Sequence, residues 1–250
     1  RGYSTPLQRC LTDFGADESF AQAVQKVREH YGITVPVGAV QRITEEHADR
    51  MRHQECLLNE FPDRPGAEPI IVESDGSMIP LVDIAEATAD QPSDGRCRRQ
   101  LRWQEARLAL AHPLGSVTPV FGVTLGGPDD AGDQMLHCAI QSGGSRHSTI
   151  HCVGDGASWI ADQTARVYAE RGTYLVDFYH VSDYLAAAAP VCCPQDPDQW
   201  RKEQQLLLKA GQVSEVHKSL ELNLEPLTTP EKDAHVRKCH RYISNRPGQF

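Results

Sequence analysis

Two short apolar runs, 80 residues apart, each lead into an aspartate followed by glycine: Pro69-Ile70-Ile71-Val72-Glu73-Ser74-Asp75-Gly76 and Ile150-His151-Cys152-Val153-Gly154-Asp155-Gly156. Runs of branched apolar residues this short are the pattern of buried strands, so each aspartate is expected at a rigid strand tip. Residues 105–110 alternate, with Ala106, Leu108 and Leu110 on one side, and residues 120–125 make a third candidate strand. A polar loop is expected at 88–95 and a turn at 126–133, with helical residues at 134–142. Past Gly156 a helix carrying Trp159, Ile160, Val167 and Tyr168 is expected, then a strand at 173–179 and a short alanine-rich helix at 181–189 closed by Pro190. From 198 to 244 the texture is helical. Strands first, then strand alternating with helix, define an α/β chain with a mixed sheet.

The amino end differs. Phe20, Ala23, Val24, Val27 and Tyr31 recur at helical spacing behind the capping candidates Asp17 and Ser19, and Gly32 ends that helix. Val40, Ile43, His47 and Met51 form the stripe of a second helix reaching about Cys56. Two helices joined by a tight glycine turn are either a helical hairpin or a helix-turn-helix-like DNA-binding segment. Residues 61–68, with Pro62, Pro65 and Gly66, read as a linker.

With 250 residues, 40% of them hydrophobic, the chain can bury a sizeable core, which excludes disorder. Lys and Arg number 25 against 34 Asp and Glu, a net charge of -9, so a nucleic acid must be gripped by local basic patches against an unfavourable overall field. Eight cysteines without regular spacing suit a reducing compartment and inert thiols. The adjacent pairs His137-Cys138, His151-Cys152, Cys192-Cys193 and Cys239-His240 lack the spacing of zinc ligands. No apolar run approaches the ~20 residues that span a bilayer and no secretory signal opens the chain, so no membrane partner and a cytoplasmic location are expected.

Asp75 and Asp155 carry the chemistry. Two ionised carboxylates brought together call for cations, and Mg2+ is bound by one or two carboxylates while keeping waters and phosphate oxygens. The plain alternative is a pair of turn residues, Asp-Gly being a common turn dipeptide. Neither a phosphate-binding Gly-x-x-x-x-Gly-Lys run nor a Gly-x-Ser-x-Gly elbow occurs.

Four blocks in order, Asp75-Gly76-Ser77-Met78-Ile79-Pro80, Trp103-Gln104-Glu105-Ala106-Arg107, Val153-Gly154-Asp155-Gly156-Ala157-Ser158-Trp159-Ile160 and Val176-Asp177-Phe178-Tyr179-His180, resemble the bacterial insertion-sequence transposases of the ISKra type. The helical hairpin and Arg241-Tyr242-Ile243 are similar to that family too. The resemblance implies a ribonuclease H-like catalytic domain of the DDE class, with two Mg2+ or Mn2+ ions that serve DNA strand cleavage and joining. By position Asp75 and Asp155 are the first two metal ligands. Asp177 and His180 match the aspartate-x-x-histidine motif of the wider Mutator-like transposases, which lies near the site. The other reading of His180 is a capped helix start beside Ser182.

The implied organisation is a helix-turn-helix-like segment at 1–60, a linker at 61–68, a catalytic core at 69–190 and a helical insertion at 191–250. The family's third acid lies in a Gly-Ser-Gly-x-x-Glu-Ser type phrase that this sequence lacks. Glu215, Glu221, Glu225 and Glu231 have no matching surroundings, and none is assigned. The expectation is a fragment or decayed copy short of its third ligand, with an exposed apolar face that favours association, including with further copies of itself. Arg96, Arg98, Arg99, Arg102 and Arg107 fall within twelve residues and are candidate DNA contacts, as is Arg42 in the hairpin. Lys232, Arg237, Lys238, Arg241 and Arg246 form a second basic group.

Overall fold

The structure, a computed structural model, describes residues 2–84 and 99–250. The expected loop at 88–95 and the candidates Arg96 and Arg98 lie outside the described residues. The chain divides into two compact units, 1–56 and 57–250.

The first unit contains α1 (Thr5–Asp17), α2 (Phe20–Tyr31) and α3 (Val37–Gln54). α1 is a helix that the sequence reading did not anticipate, so the expected two-helix hairpin is part of a three-helix unit. Ser19 accepts a hydrogen bond from the Gln22 N–H at the start of α2, and Gly32 ends that helix with φ of 67°. Leu11, Ala23, Val27, Val40 and Ile43 meet in its centre. Gly15 lets α1 and α3 cross closely, because a Cβ there would enter the space of Thr44 and Val40.

Among the described residues the second unit has five strands: β1 (Ile70–Ile84), β2 (Arg99–Pro113), β3 (Val120–Thr124), β4 (Ile150–Gly154) and β5 (Gly172–Val176). Their order is β3-β2-β1-β4-β5. β1, β2 and β3 are antiparallel neighbours, whereas β4 and β5 join β1 as parallel strands. Parallel neighbours need crossover connections. These are α4 (Pro128–Gln141) before β4 and α5 (Ser158–Tyr168) before β5. Period-two alternation decides the faces: Ile70 and Val72 of β1, Ala109 and Ala111 of β2, and Ile150 and Cys152 of β4 pack against Met135, Cys138 and Ala139 of α4 and Ile160 and Tyr168 of α5. The opposite face leaves Leu108, Phe121 and Val123 exposed.

Four more helices follow: α6 (Phe178–Cys192), α7 (Pro197–Lys209), α8 (Val213–Glu221) and α9 (His235–Ser244). They enclose a second core around Leu185, Trp200, Leu220, Val236 and Ile243, which Val176 of β5 joins. No helix of the described residues is long and apolar enough to cross a membrane.

Most of the turn expected at 126–133 is helix, because α4 starts at Pro128 with the Gly127 N–H bonded to the Asp130 carboxylate, and three further sequence expectations need correction. Asp75 does not end its strand: β1 continues nine residues further, to Ile84, because β2 remains paired with it along that whole length. The strand expected at 173–179 stops at Val176, since the Asp177 side chain accepts the Tyr179 N–H and starts α6. Pro190 does not close α6, which runs on to Cys192.

The completely buried Ile150 sits where β4 meets α4 and α5. Ile150→Ala is expected to lower the unfolding free energy of the full chain by about 2–5 kcal/mol, read as a lower urea midpoint with an unchanged slope.

Candidate functional site

The last pair on the parallel ladder of β1 and β4 is Glu73 beside Val153. Two residues further along each chain, Asp75 and Asp155 are level and belong to the same face. Gly154 pairs with Val176 on β5. The Asp177 N–H donates to the Gly154 carbonyl at 2.7 Å, so Asp177 comes level with Asp155. Adjacent strands are ~4.8 Å apart. Three aspartates therefore occupy neighbouring positions in one row, and all line a cleft of about 650 Å³ that also includes Glu73, Leu108 and His180.

A local amide orients each carboxylate. Asp75 Oδ1 accepts from the Gly76 N–H at 2.7 Å, Asp155 Oδ1 from the Ala157 N–H at 2.8 Å, and Asp177 Oδ1 from the Tyr179 N–H at 2.9 Å. Among the described residues none of the three joins a salt bridge. Like charges ~5 Å apart repel by about 3 kcal/mol at an effective dielectric near 20 and by under about 1 kcal/mol in open water. A divalent cation relieves that repulsion.

The chemistry of the donor set fits such an ion. Mg2+ or Mn2+ takes oxygen ligands, one or two of them carboxylates, and leaves its other positions to water and phosphate. Asp75 and Asp155 each have a second oxygen directed by neither Gly76 nor Ala157. Among the described residues no group of three or more His, Cys, Asp or Glu is arranged to hold a metal ion.

The turn that carries Asp155 is held by residues distant in sequence. The Tyr242 hydroxyl of α9 donates to the Asp155 carbonyl at 2.6 Å, and Arg246 Nε donates to the Gly156 carbonyl at 2.8 Å. From the sheet side the Gly156 N–H donates to the Tyr174 hydroxyl at 2.9 Å, and burial pushes that phenol up to about 12. Gly156 adopts φ of 89°, and a Cβ there would run into Arg246 and the Tyr242 hydroxyl.

Beneath Asp75 the arrangement is comparable. The Glu105 carboxylate fills the space beside Gly76, where a Cβ would displace it. Glu105 pairs with Arg107, whose guanidinium also donates to the Gly126 carbonyl at 2.6 Å and lies 5.5 Å over the Trp159 ring. β1, β2 and α5 are linked by that chain of contacts.

The other anticipated residues are less concentrated. His180, in the first turn of α6, has its ring 5.6 Å from the rings of both Tyr184 and Tyr242. Arg107 is engaged internally, Arg102 pairs with Asp83 at 2.6 Å, and Arg99 is exposed at the start of β2. Arg42, in the amino-terminal unit, pairs with Glu46 at 2.8 Å on the same helix. Burial pushes the thiols of Cys152 and Cys239 up to about 12, in keeping with inert cysteines. Sequence reasoning did not anticipate Tyr174 or the bonds from Tyr242 and Arg246. The glycine after Asp155 was the available signal, since it marks a turn that admits close neighbours.

α9 is itself capped by Glu225, which accepts the Val236 N–H at 2.8 Å and the Arg237 N–H at 2.9 Å. Desolvation raises the Glu225 carboxyl, but these amides and the Arg237 charge outweigh it and hold the group below the ordinary carboxylate value.

Compared with protein-family models and with curated proteins, the chain matches none.

Two outcomes follow from this bracing. Gly156→Ala is expected to destabilise the chain by about 1–3 kcal/mol in urea unfolding, from backbone strain at positive φ and displacement of Arg246. Because folding lowers the Glu225 value, its support of α9 is complete above the ordinary carboxylate range and is lost as pH falls through the lowered value. Hydrogen-exchange protection factors across residues 236–246, taken relative to the intrinsic rates at each pH, should therefore fall in that acid window, and Glu225→Gln should remove that change.

Proposed function

We propose that this chain is a DNA transposase polypeptide, acting in metal-dependent cleavage and transfer of DNA strands through a ribonuclease H-like core. The observation that carries the reading is the common level of Asp75 and Asp155 on adjacent parallel strands, within the sequence blocks that resemble the insertion-sequence transposases. The mixed sheet, with three antiparallel strands followed by two parallel ones, supports it.

In this reading Asp75 and Asp155 hold Mg2+ or Mn2+. When bound, the metal supplies charge neutralisation at a scissile phosphate and lowers the cost of ionising the attacking water or 3' hydroxyl. Gly76 and Ala157 fix one oxygen of each aspartate and so aim the other into the cleft. Asp177 sets the start of α6 and thereby the position of His180 at the rim, where an imidazole can donate to a phosphate oxygen or relay a proton. Leu108 and Phe121 give the cleft an apolar wall. Exposed arginines such as Arg99 and Arg102 of β2 and Arg42 of the amino-terminal unit are available to contact the DNA backbone. The location would be cytoplasmic, with DNA ends and target DNA as partners and other copies of the chain as assembly mates.

A sequence without the family's Gly-Ser-Gly-x-x-Glu-Ser phrase favours a second reading, a non-catalytic DNA-binding chain that represses the element or joins a mixed assembly. It retains the DNA partner and gives up the strand chemistry.

Calorimetric titration with Mn2+ and nicking of supercoiled plasmid test the first reading together. Wild-type protein is expected to bind Mn2+ and to nick in its presence, with Asp75→Asn and Asp155→Asn each weakening binding at least about tenfold and abolishing nicking. Binding and nicking unaffected by either substitution would overturn the reading. Metal binding without nicking would favour the repressor.

A further inference from the structure

Behind the turn that carries Asp155 lies a second concavity, a pocket of about 520 Å³ between α6 and α9 lined by Tyr184, Lys238, Arg241, Tyr242, Asn245 and Arg246. Its wall is shared with the cleft. Tyr242 and Arg246 bond the carbonyls of Asp155 and Gly156, while the Asp155 side chain lines the other side of the same turn. His180 belongs to the cleft and contacts Tyr184 and Tyr242 with its ring.

The wall is rigid. The Tyr184 and Tyr242 rings stack 4.2 Å apart, and the Arg246 guanidinium caps Tyr242 from 3.7 Å. Arg246 is committed, donating to the carbonyls of Gly156 and Tyr242. Lys238 spends one long 3.4 Å contact on the Lys232 carbonyl and keeps its other donors. Arg241 pairs with Glu231 through one nitrogen and remains largely exposed. The lining supplies three cations, Lys238, Arg241 and Arg246, and no carboxylate, in a chain whose overall charge is -9. Preformed aromatic walls with spare ammonium and guanidinium donors are the chemistry of a phosphate site, and Arg supplies the planar fork that suits its oxygens.

We propose that this pocket binds a backbone phosphate of the DNA strand that enters the cleft, with Lys238 and Arg241 as the contacting cations and Asn245 as an uncharged donor. The proposal rests on the reading of the cleft as a DNA site. It adds where the strand runs: over the Asp155 turn and onto the exposed side of α9. A phosphodiester and a free phosphate share the recognising chemistry, and the test separates them.

Fluorescence anisotropy with a labelled DNA duplex and a labelled single strand, in EDTA and over a range of NaCl, measures affinity without any metal. Lys238→Gln/Arg241→Gln is compared with the charge-matched control Lys202→Gln/Lys218→Gln, and circular dichroism checks that both fold. The pocket variant is expected to bind DNA at least about fivefold more weakly than the control, with the slope of log K against log salt shallower by about 1. Equal affinities and slopes in the two variants, or no DNA binding by the wild type, would overturn the proposal. So would inorganic phosphate binding that depends on Lys238 and Arg241 while DNA binding does not. Metal-dependent nicking is measured separately, so a failure of the pocket and a failure of the cleft remain distinguishable.

Discussion

The parallel hydrogen-bonded ladder between β1 and β4 is the constraint on which the candidate site depends. Its pairs from Ile70 beside Ile150 to Glu73 beside Val153 fix the relative height of two segments that are 80 residues apart. A slip of one residue would turn Asp155 to the buried face and Cys152 to the exposed one. The buried Ile150 and Cys152 make that slip costly, because both side chains would leave the core that they share with Ile70 and Val72. Packing against α4 and α5 therefore also sets the height of the carboxylates.

The helices that follow the sheet have a second role beyond enclosing their own core. Tyr242 of α9 and Arg246 just beyond it reach back to the carbonyls of Asp155 and Gly156, and Tyr174 meets the same turn from within the sheet. Glu105 and Arg107 do comparable work beneath Gly76. Both glycines that follow the site aspartates are thus occupied from the side on which other residues carry a Cβ. The same wall of Tyr184 and Tyr242 divides the cleft from the basic pocket, and this continuity motivates the proposed path of a DNA strand between them.

Much of this was legible in the sequence, for identifiable reasons. The strand at Ile150–Gly154 is short, apolar and bounded by Thr149 and the Asp155-Gly156 turn, so its limits are visible in the sequence. α2 was found from its stripe, with Ser19 and Gly32 marking its ends. Local pattern failed where pairing or tertiary contact decides. β1 passes through Gly76 and Pro80, residues that argue against a strand, because β2 stays paired with it over fifteen residues. α1 carries Leu7, Leu11 and Phe14 at helical spacing, a stripe as legible as that of α2, although no helix is expected there from the sequence reading. Of the candidate site, the aspartates were visible as strand-end acids. The residues that brace them were not, since Tyr242 and Arg246 are nearly ninety positions from the carbonyls they bond.

The most direct measurement is the anomalous scattering of Mn2+ in crystals of the intact chain. A peak within about 2.0–2.6 Å of a carboxylate oxygen from both Asp75 and Asp155 is the expected result, lost in Asp155→Asn crystals. Mn2+ bound elsewhere, with the two carboxylates turned apart and bridged only by water, would contradict a shared cation at the edge of the sheet.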